Sequence, residues 1–280
     1  MTDVVQTSSS WLALREPQDA RSRSMELALA AVPRLGDPPI VVHDLGSGTG
    51  SMMRWLAPAL PGPQIWVLHD WNASLVLSAW DERMPVDRDG LPLSVRTSVG
   101  ELEHIDGDDL RGASLVTASA LLDVLTSEEV HAIAAACVTA GAPVLLSLSV
   151  TGRVDLLPRH PLDEEFQNAF NAHQRRSADG RRLLGPHAVA VARGLFLEAG
   201  WHVRPVETPW RLGPHDARLL GPHDARLLAE WFDGWTDAAL EQSRHLRDDA
   251  ADYLDLRRAQ LRDGALSAVV HHRDLLAWRR

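Results

Sequence analysis

Two acids and three glycines mark where this chain can do chemistry. Val41-Val42-His43-Asp44-Leu45 is an apolar run with an acid near its end, and Gly46-Ser47-Gly48-Thr49-Gly50 follows at once. A strand opening into alternating glycines is a ligand-binding device, because glycine lets the backbone take positive φ and approach a ligand that a Cβ would push away. Gln64-Ile65-Trp66-Val67-Leu68-His69-Asp70 repeats the form, a second apolar strand ending in an acid. A carboxylate there can accept both hydroxyls of a ribose. The spacing departs from the dinucleotide fingerprint G-x-G-x-x-G: Ser51 holds the third glycine's place, and Gly50 completes G-x-G-x-G instead.

A second concentration of polar residues lies within 151–186, in Arg159-His160-Pro161-Leu162-Asp163 and Phe170-Asn171-Ala172-His173-Gln174-Arg175-Arg176. On a helix through Phe166, Phe170 and His173, the i, i+4, i+7 spacing sets two aromatics and the histidine on one face. Such a face either packs on a sheet, with His173 as its polar tip, or walls a binding site. The Asn-x-His-Gln-Arg cluster is too polar for routine core, which favours the second. Metal chemistry is not expected. The pairs His215-Asp216, His223-Asp224 and His271-His272 are sequence neighbours, whose side chains diverge on a helix or strand.

Composition narrows the partners. All 28 basic residues are arginine, which excludes Schiff-base, P-loop-lysine and lysine-base chemistry. Proton transfer falls to His, Asp, Glu or water. A net charge of −10 repels phosphate backbones, so no nucleic-acid partner is expected and a small molecule is favoured. The single cysteine, Cys137, sits in an apolar run and has no partner for a disulfide within the chain, which fits a reducing cytoplasm. Trp11-Leu12-Ala13-Leu14 is interrupted at once by Arg15, Glu16 and Pro17, too soon for a signal peptide or a membrane span, so no membrane partner is expected.

The elements that must hold these residues alternate. Strands are predicted at 40–45, 64–69, 93–99, 113–118, 143–150, 201–207 and 266–272, and helices at 21–32, 51–59, 72–80, 127–139, 187–199 and 223–262. The alternation predicts an α/β fold, a doubly wound sheet in a single domain over 1–280. To it are added a helical N-terminal cap over 1–35, an insert at 151–186 too polar and long for a tight connection, and a helical insert at 211–263. Within the last, Leu-Gly-Pro-His-Asp-Ala-Arg-Leu at 212–219 is repeated identically at 220–227. Proline is tolerated in a helix's first turn and disruptive further in, so one copy is expected to be a turn and the second to start the long helix.

On its strand-acid-glycine turn and second acid-terminated strand, the chain resembles class I S-adenosylmethionine-dependent methyltransferases over residues 35–275, and its Asn171-x-His173-Gln174-Arg175 cluster resembles a segment of actinobacterial small-molecule methyltransferases. The resemblance implies a seven-stranded Rossmann-like sheet whose last strand runs antiparallel between the fifth and sixth. It also implies S-adenosylmethionine as cofactor and methyl transfer to an O, N or C nucleophile of a small-molecule acceptor. Asp44 would hold the methionine end beside Gly46, Ser47, Gly48 and Gly50, and Asp70, followed by Trp71, the ribose. Glu101 would sit near the adenine amino group with Leu102 against the ring, although Glu101 is equally suited to start a helix; Ser119 would line the site from the fourth strand. The acceptor side then belongs to the 151–186 insert. His173 is the first candidate general base and His160 the second, with Asp163 orienting either. Phe170, Asn171, Gln174 and Arg175 are the candidate acceptor contacts, Arg175 through its planar fork on a carboxylate or phosphate. Two other readings share these motifs: a catalytically silent methyltransferase-like binding protein and, against the Gly50 and Ser51 spacing, an NAD-dependent oxidoreductase.

Overall fold

Apolar strands and amphipathic helices in alternation can bury both faces of a sheet only by winding helices over each side. The computed structural model, which describes residues 8–80, 84–178, 180–214 and 221–280, has that arrangement. Its strands are β1 (Ile40–Leu45), β2 (Gln64–Asp70), β3 (Ser94–Val99), β4 (Leu115–Ser119), β5 (Val144–Leu157), β6 (Ser177–Ala178), β7 (Arg181–Arg182), β8 (His202–Glu207), β9 (Trp210–Leu212) and β10 (Ser267–Trp278). Its α-helices are α1 (Ser9–Ser22), α2 (Met25–Ala31), α3 (Ser51–Leu56), α4 (Ala73–Ser78), α5 (Ser127–Ala140), α6 (Asp163–Gln174), α7 (Ala188–Glu198), α8 (Pro222–Gln242) and α9 (Leu246–Arg262).

The main sheet runs β3-β2-β1-β4-β5-β10-β8, with β9 paired to β10, while β6 and β7 form a separate hairpin. Parallel ladders join β3 through β5, and β10 is antiparallel to both β5 and β8. The last strand thus lies antiparallel between the fifth and sixth long strands, as the sequence resemblance implied. One face packs Leu45 and Val116 against Val130, Ile133 and Phe196 of α5 and α7. The other packs Ile40 and Trp66 against Leu27, Met52 and Met53 of α2 and α3. A third core, with Phe166, Trp235 and Tyr253 at its centre, joins α6, α8 and α9 to β9 and the far end of β10.

Several elements differ from the sequence expectation, among them β10, which runs on to Trp278, and β6, β7 and β9, which the sequence reading does not contain. Helix α1 begins at Ser9 and carries Pro17 in its interior; Ser8 caps it, accepting from Trp11 N at 3.2 Å, and an Arg15–Asp19 pair one turn apart braces the region of the proline. Strand β5 continues to Leu157, because 151–157 stays paired to β10 through a register shift and Asp155 meets His271 Nε2 at 2.7 Å. The helix expected at 223–262 is two, broken after Gln242. Unbroken it would span about 60 Å, and only by folding back can α8 and α9 bury Trp235 and Tyr253 in one core.

The two copies of the octet serve different ends. In the first, Leu212 closes β9 opposite Ala268 and Gly213 turns the chain at φ +104°, where a Cβ would come within 2.6 Å of Ser267 Cα. In the second, Gly221 caps α8 and Pro222 takes its first position, as expected of a Gly-Pro start. The rest of the first copy, 215–220, lies outside the described residues. Deleting 212–219 leaves one Leu-Gly-Pro to end β9 and start α8 at once. The protein should still fold, with a thermal midpoint lower by about 5 °C as the first turn of α8 frays; an unchanged midpoint would show the extra copy to be dispensable.

Candidate functional site

At the carboxyl ends of β1, β2 and β4, where strand order reverses and α/β sheets bind ligands, the chain encloses a cleft of about 270 Å³. Gly46 and Gly48 form its floor at φ +63° and +52°. A Cβ on Gly46 would stand 2.6 Å from Leu121 Cδ1, and one on Gly48 3.2 Å from Leu12 Cδ1, so neither position accommodates a larger residue without displacing a cleft wall. The second acid is tied to this turn. Gly48 N donates to Asp70 Oδ2 at 2.8 Å and Asn72 N to Asp70 Oδ1 at 2.9 Å, after which the Asn72 side chain caps α4.

Asp44 is 1% exposed, and its two oxygens differ. Oδ1 accepts from Thr117 Oγ1 at 2.7 Å, while Oδ2 is buried with no partner among the described residues. Burial pushes its carboxyl up to about 7, against the Thr117 hydrogen bond and the charge of Arg23, which both favour ionisation. A buried oxygen without a donor is costly, and a cleft that keeps one is a cleft for a ligand with a donor. Strand β4 adds Ser119, and beyond it Ala120 stands at φ +52°, its N–H donating to Ser147 O at 2.9 Å. A non-glycine residue held left-handed at a cleft wall is a locally strained position of the sort that marks ligand sites.

The N-terminal segment supplies a wall that sequence reasoning misses. Leu12, Arg15, Asp19 and Arg23 border the cleft, and their i, i+3, i+7, i+11 spacing is that of one helical face. Pro17 disguises it by reading as a break. Arg15 forks onto Asp19 with contacts of 2.9 and 3.2 Å. Arg23 is buried and donates to Ser51 Oγ at 2.9 Å and Ser119 Oγ at 3.0 Å, bridging α3 and β4. Opposite, the capping box of α5, Thr126 with Glu129, turns the Glu129 carboxylate inward, where Arg181 Nη2 grips both its oxygens at 2.7 and 2.8 Å.

This architecture has counterparts among solved structures. The cyclopropane synthase MmaA2 from Mycobacterium tuberculosis superposes with a TM-score of 0.50 at 15% identity, covering 97% of this chain and 95% of that one. This is the class I methyltransferase fold. Two further structures reach lower scores: the mycolic acid cyclopropane synthase CmaA1, solved with SAH and CTAB (TM-score 0.47, 16% identity, 91% and 82% coverage), and the geranyl diphosphate C-methyltransferase of Streptomyces coelicolor A3(2) (0.45, 15%, 91% and 78%). No protein family and no curated protein matches the chain by sequence.

Of the ten cofactor candidates the methyltransferase resemblance picks out, nine border the cleft: Asp44, Gly46, Ser47, Gly48, Asp70, Trp71, Glu101, Leu102 and Ser119. Gly50 instead caps α3 at φ +81°. The acceptor candidates do not border it. Phe170 faces Trp235 in the third core, with ring centroids 6.5 Å apart, and Asn171 Nδ2 donates to Gly152 O at 2.8 Å. Gln174 Oε1 is buried without a partner among the described residues, and Arg175 is spent on Asn171 O and His187 Nε2. Asp163 binds Tyr253 Oη and the fully buried Arg257, and its Oδ2 accepts from His160 N at 2.8 Å, so His160 and Asp163 pin the start of α6 onto α9. His173 Nδ1 accepts from Arg176 Nη1 at 3.0 Å and Nε2 lies 3.1 Å from Glu241 Oε2. With its one lone pair engaged, neutral His173 has none to offer a substrate. The aromatic face of α6 does not border the cleft, and where the other reading of the same spacing set it against the sheet, Phe166 and Phe170 pack on Trp235 of α8.

Proposed function

We propose that the chain binds S-adenosylmethionine in this cleft and transfers its methyl group to a small-molecule acceptor, in a reducing cytoplasm where the buried Cys137 stays a thiol. The observation that carries the reading is the unpartnered oxygen of Asp44 beside two positive-φ glycines. An amino-acid ammonium supplies the donors that oxygen lacks, whereas a dinucleotide pyrophosphate would bring two anions against a buried acid. Asp70, oriented by Gly48 and Asn72, retains lone pairs for ribose hydroxyls, and Trp71 and Leu102 offer apolar surface to a base. When bound, the cofactor supplies an electrophilic methyl. The chain's own task is then to align the acceptor and keep out water, with Leu12 and Leu121 closing over the glycine turn. Among the described residues no histidine borders the cleft, so an acceptor proton leaves to a carboxylate or to water.

Calorimetry with S-adenosylmethionine, S-adenosylhomocysteine and NAD, followed by a methyl-transfer screen, tests the proposal. The two sulfur nucleosides should bind and NAD should not. Binding of the nucleosides without turnover on any acceptor class would favour the silent binding protein. Asp70→Ala should weaken S-adenosylhomocysteine at least tenfold, since ribose contacts and the Gly48 tie are lost together. Equal affinity in a folded Asp70→Ala protein would defeat the assignment of Asp70.

A further inference from the structure

Among the described residues four arginines border the cleft, and three of them are already answered. Arg15 forks onto Asp19, Arg181 grips Glu129, and Arg23 is held by Ser51 and Ser119 with Asp19 and Asp44 as its nearest opposite charges. Arg176 is different. Among the described residues it meets no carboxylate: Nη1 donates to His173 Nδ1 at 3.0 Å and to His173 O at 2.9 Å, both neutral acceptors. Nε and Nη2 have no protein partner among the described residues. The guanidinium is also fixed in place, because Glu241 orders the His173 ring that in turn holds Nη1. Burial and the Arg176 charge both lower the His173 pKa, opposed by Glu241, which keeps the ring neutral and able to accept. The cleft also carries carboxylates, of which Asp19 and Glu129 are held by Arg15 and Arg181. A pre-set guanidinium with free donors and no carboxylate paired to it, in a cleft to which Leu121, Val124, Leu125 and Leu183 add apolar surface, selects an anion carried on an apolar body.

We propose that Arg176 is the acceptor-specificity residue of the cleft, that it binds a carboxylate or phosphate on an otherwise apolar acceptor, and that His173 is its positioning residue. The proposal rests on the methyl-transfer reading for the word acceptor alone. His173 then acts through Arg176 and not as a base.

Binding of octanoate, octyl phosphate and neutral octanol to the full chain, with and without S-adenosylhomocysteine, tests it by calorimetry. The two anions should bind at least tenfold tighter than octanol, and their ratio distinguishes a carboxylate from a phosphate site. Arg176→Gln should bring both anions down to the octanol level while leaving S-adenosylhomocysteine affinity unchanged, and Arg175→Gln should change neither. His173→Phe should lower anion affinity severalfold and His173→Asn, whose amide oxygen can accept from Arg176, should restore it. Anions that bind no better than octanol, or equally well to Arg176→Gln, overturn the proposal. Failure of the methyl-transfer reading shows separately, as absent S-adenosylhomocysteine binding in protein that still takes the anions.

Discussion

Asp44→Asn should weaken S-adenosylmethionine binding by about 100-fold and abolish its pH dependence below neutrality. In the ligand-free protein burial holds the Asp44 carboxyl near 7, so at pH 6 it is mostly protonated. An ammonium ligand needs the charged form. Binding must then expel a proton, and affinity should fall about fivefold from pH 8, where about half of the ligand amine is already deprotonated, to pH 6. On the alkaline side the ligand's own amino group titrates near 8, which leaves an optimum between the two. The sign for folding is opposite. A carboxyl whose folded pKa is raised stabilises the protein most below its unfolded pKa, and that contribution is lost as pH rises towards 7. Asparagine keeps the Thr117 hydrogen bond and carries no charge to desolvate, so the ligand-free variant should be at least as stable at pH 8. Calorimetry in buffers of differing protonation enthalpy reads the proton directly. A wild-type affinity flat from pH 6 to pH 8, or an unaltered affinity in Asp44→Asn, would sink the Asp44 assignment.

The cofactor half of this cleft is legible in sequence because its information is local. Asp44 and Gly46 to Gly50 are consecutive, and Asp70 ends a strand that the parallel ladder sets beside β1, with Leu45 opposite His69. Two strand periods and a glycine turn therefore fix the floor of the site. The walls are another matter. Whether the Phe166, Phe170 and His173 face of α6 meets a ligand or a helix depends on where Trp235 arrives, and Trp235 belongs to α8, far along the chain. Periodicity reports a face and says nothing of what covers it. Arg15, Asp19 and Arg23 were hidden for a different reason. Their spacing is helical, but local propensity gives Pro17 too much weight, and tertiary packing of Leu14 in the third core overrides it. Arg176 is missed by one position, since choosing it over Arg175 requires knowing where α6 ends.

Asp274→Ala should cost about 3 to 5 kcal/mol of stability, and the loss should reach the cleft. The side chain of Asp274 is fully buried in β10, and it gathers three donors from three separate parts of the chain. Oδ1 accepts from Leu148 N and Thr208 Oγ1, both at 2.7 Å, and Oδ2 accepts from Ser24 N at 2.9 Å. Burial raises its pKa, and the three hydrogen bonds, which favour the ionised form, oppose that shift. Alanine removes the acceptor of all three donors at a buried position. Leu148, a non-glycine residue at φ +54°, then loses the bond that holds its strained backbone. Ser24 loses its tie at the junction of α1 and α2. Arg23 is the residue before it, so the same substitution loosens the guanidinium that bridges Ser51 and Ser119 across the cleft. Equilibrium urea unfolding should therefore show the stability loss, and S-adenosylhomocysteine affinity should fall severalfold under conditions where the variant is still folded. Asp274→Asn should recover only part of the stability, because its amide presents a donor to either Ser24 N or Leu148 N. A stability change below about 1 kcal/mol would mean that Asp274 is not the link between β10 and the N-terminal wall; a large one with cofactor affinity intact would mean that Arg23 is held in the cleft without it.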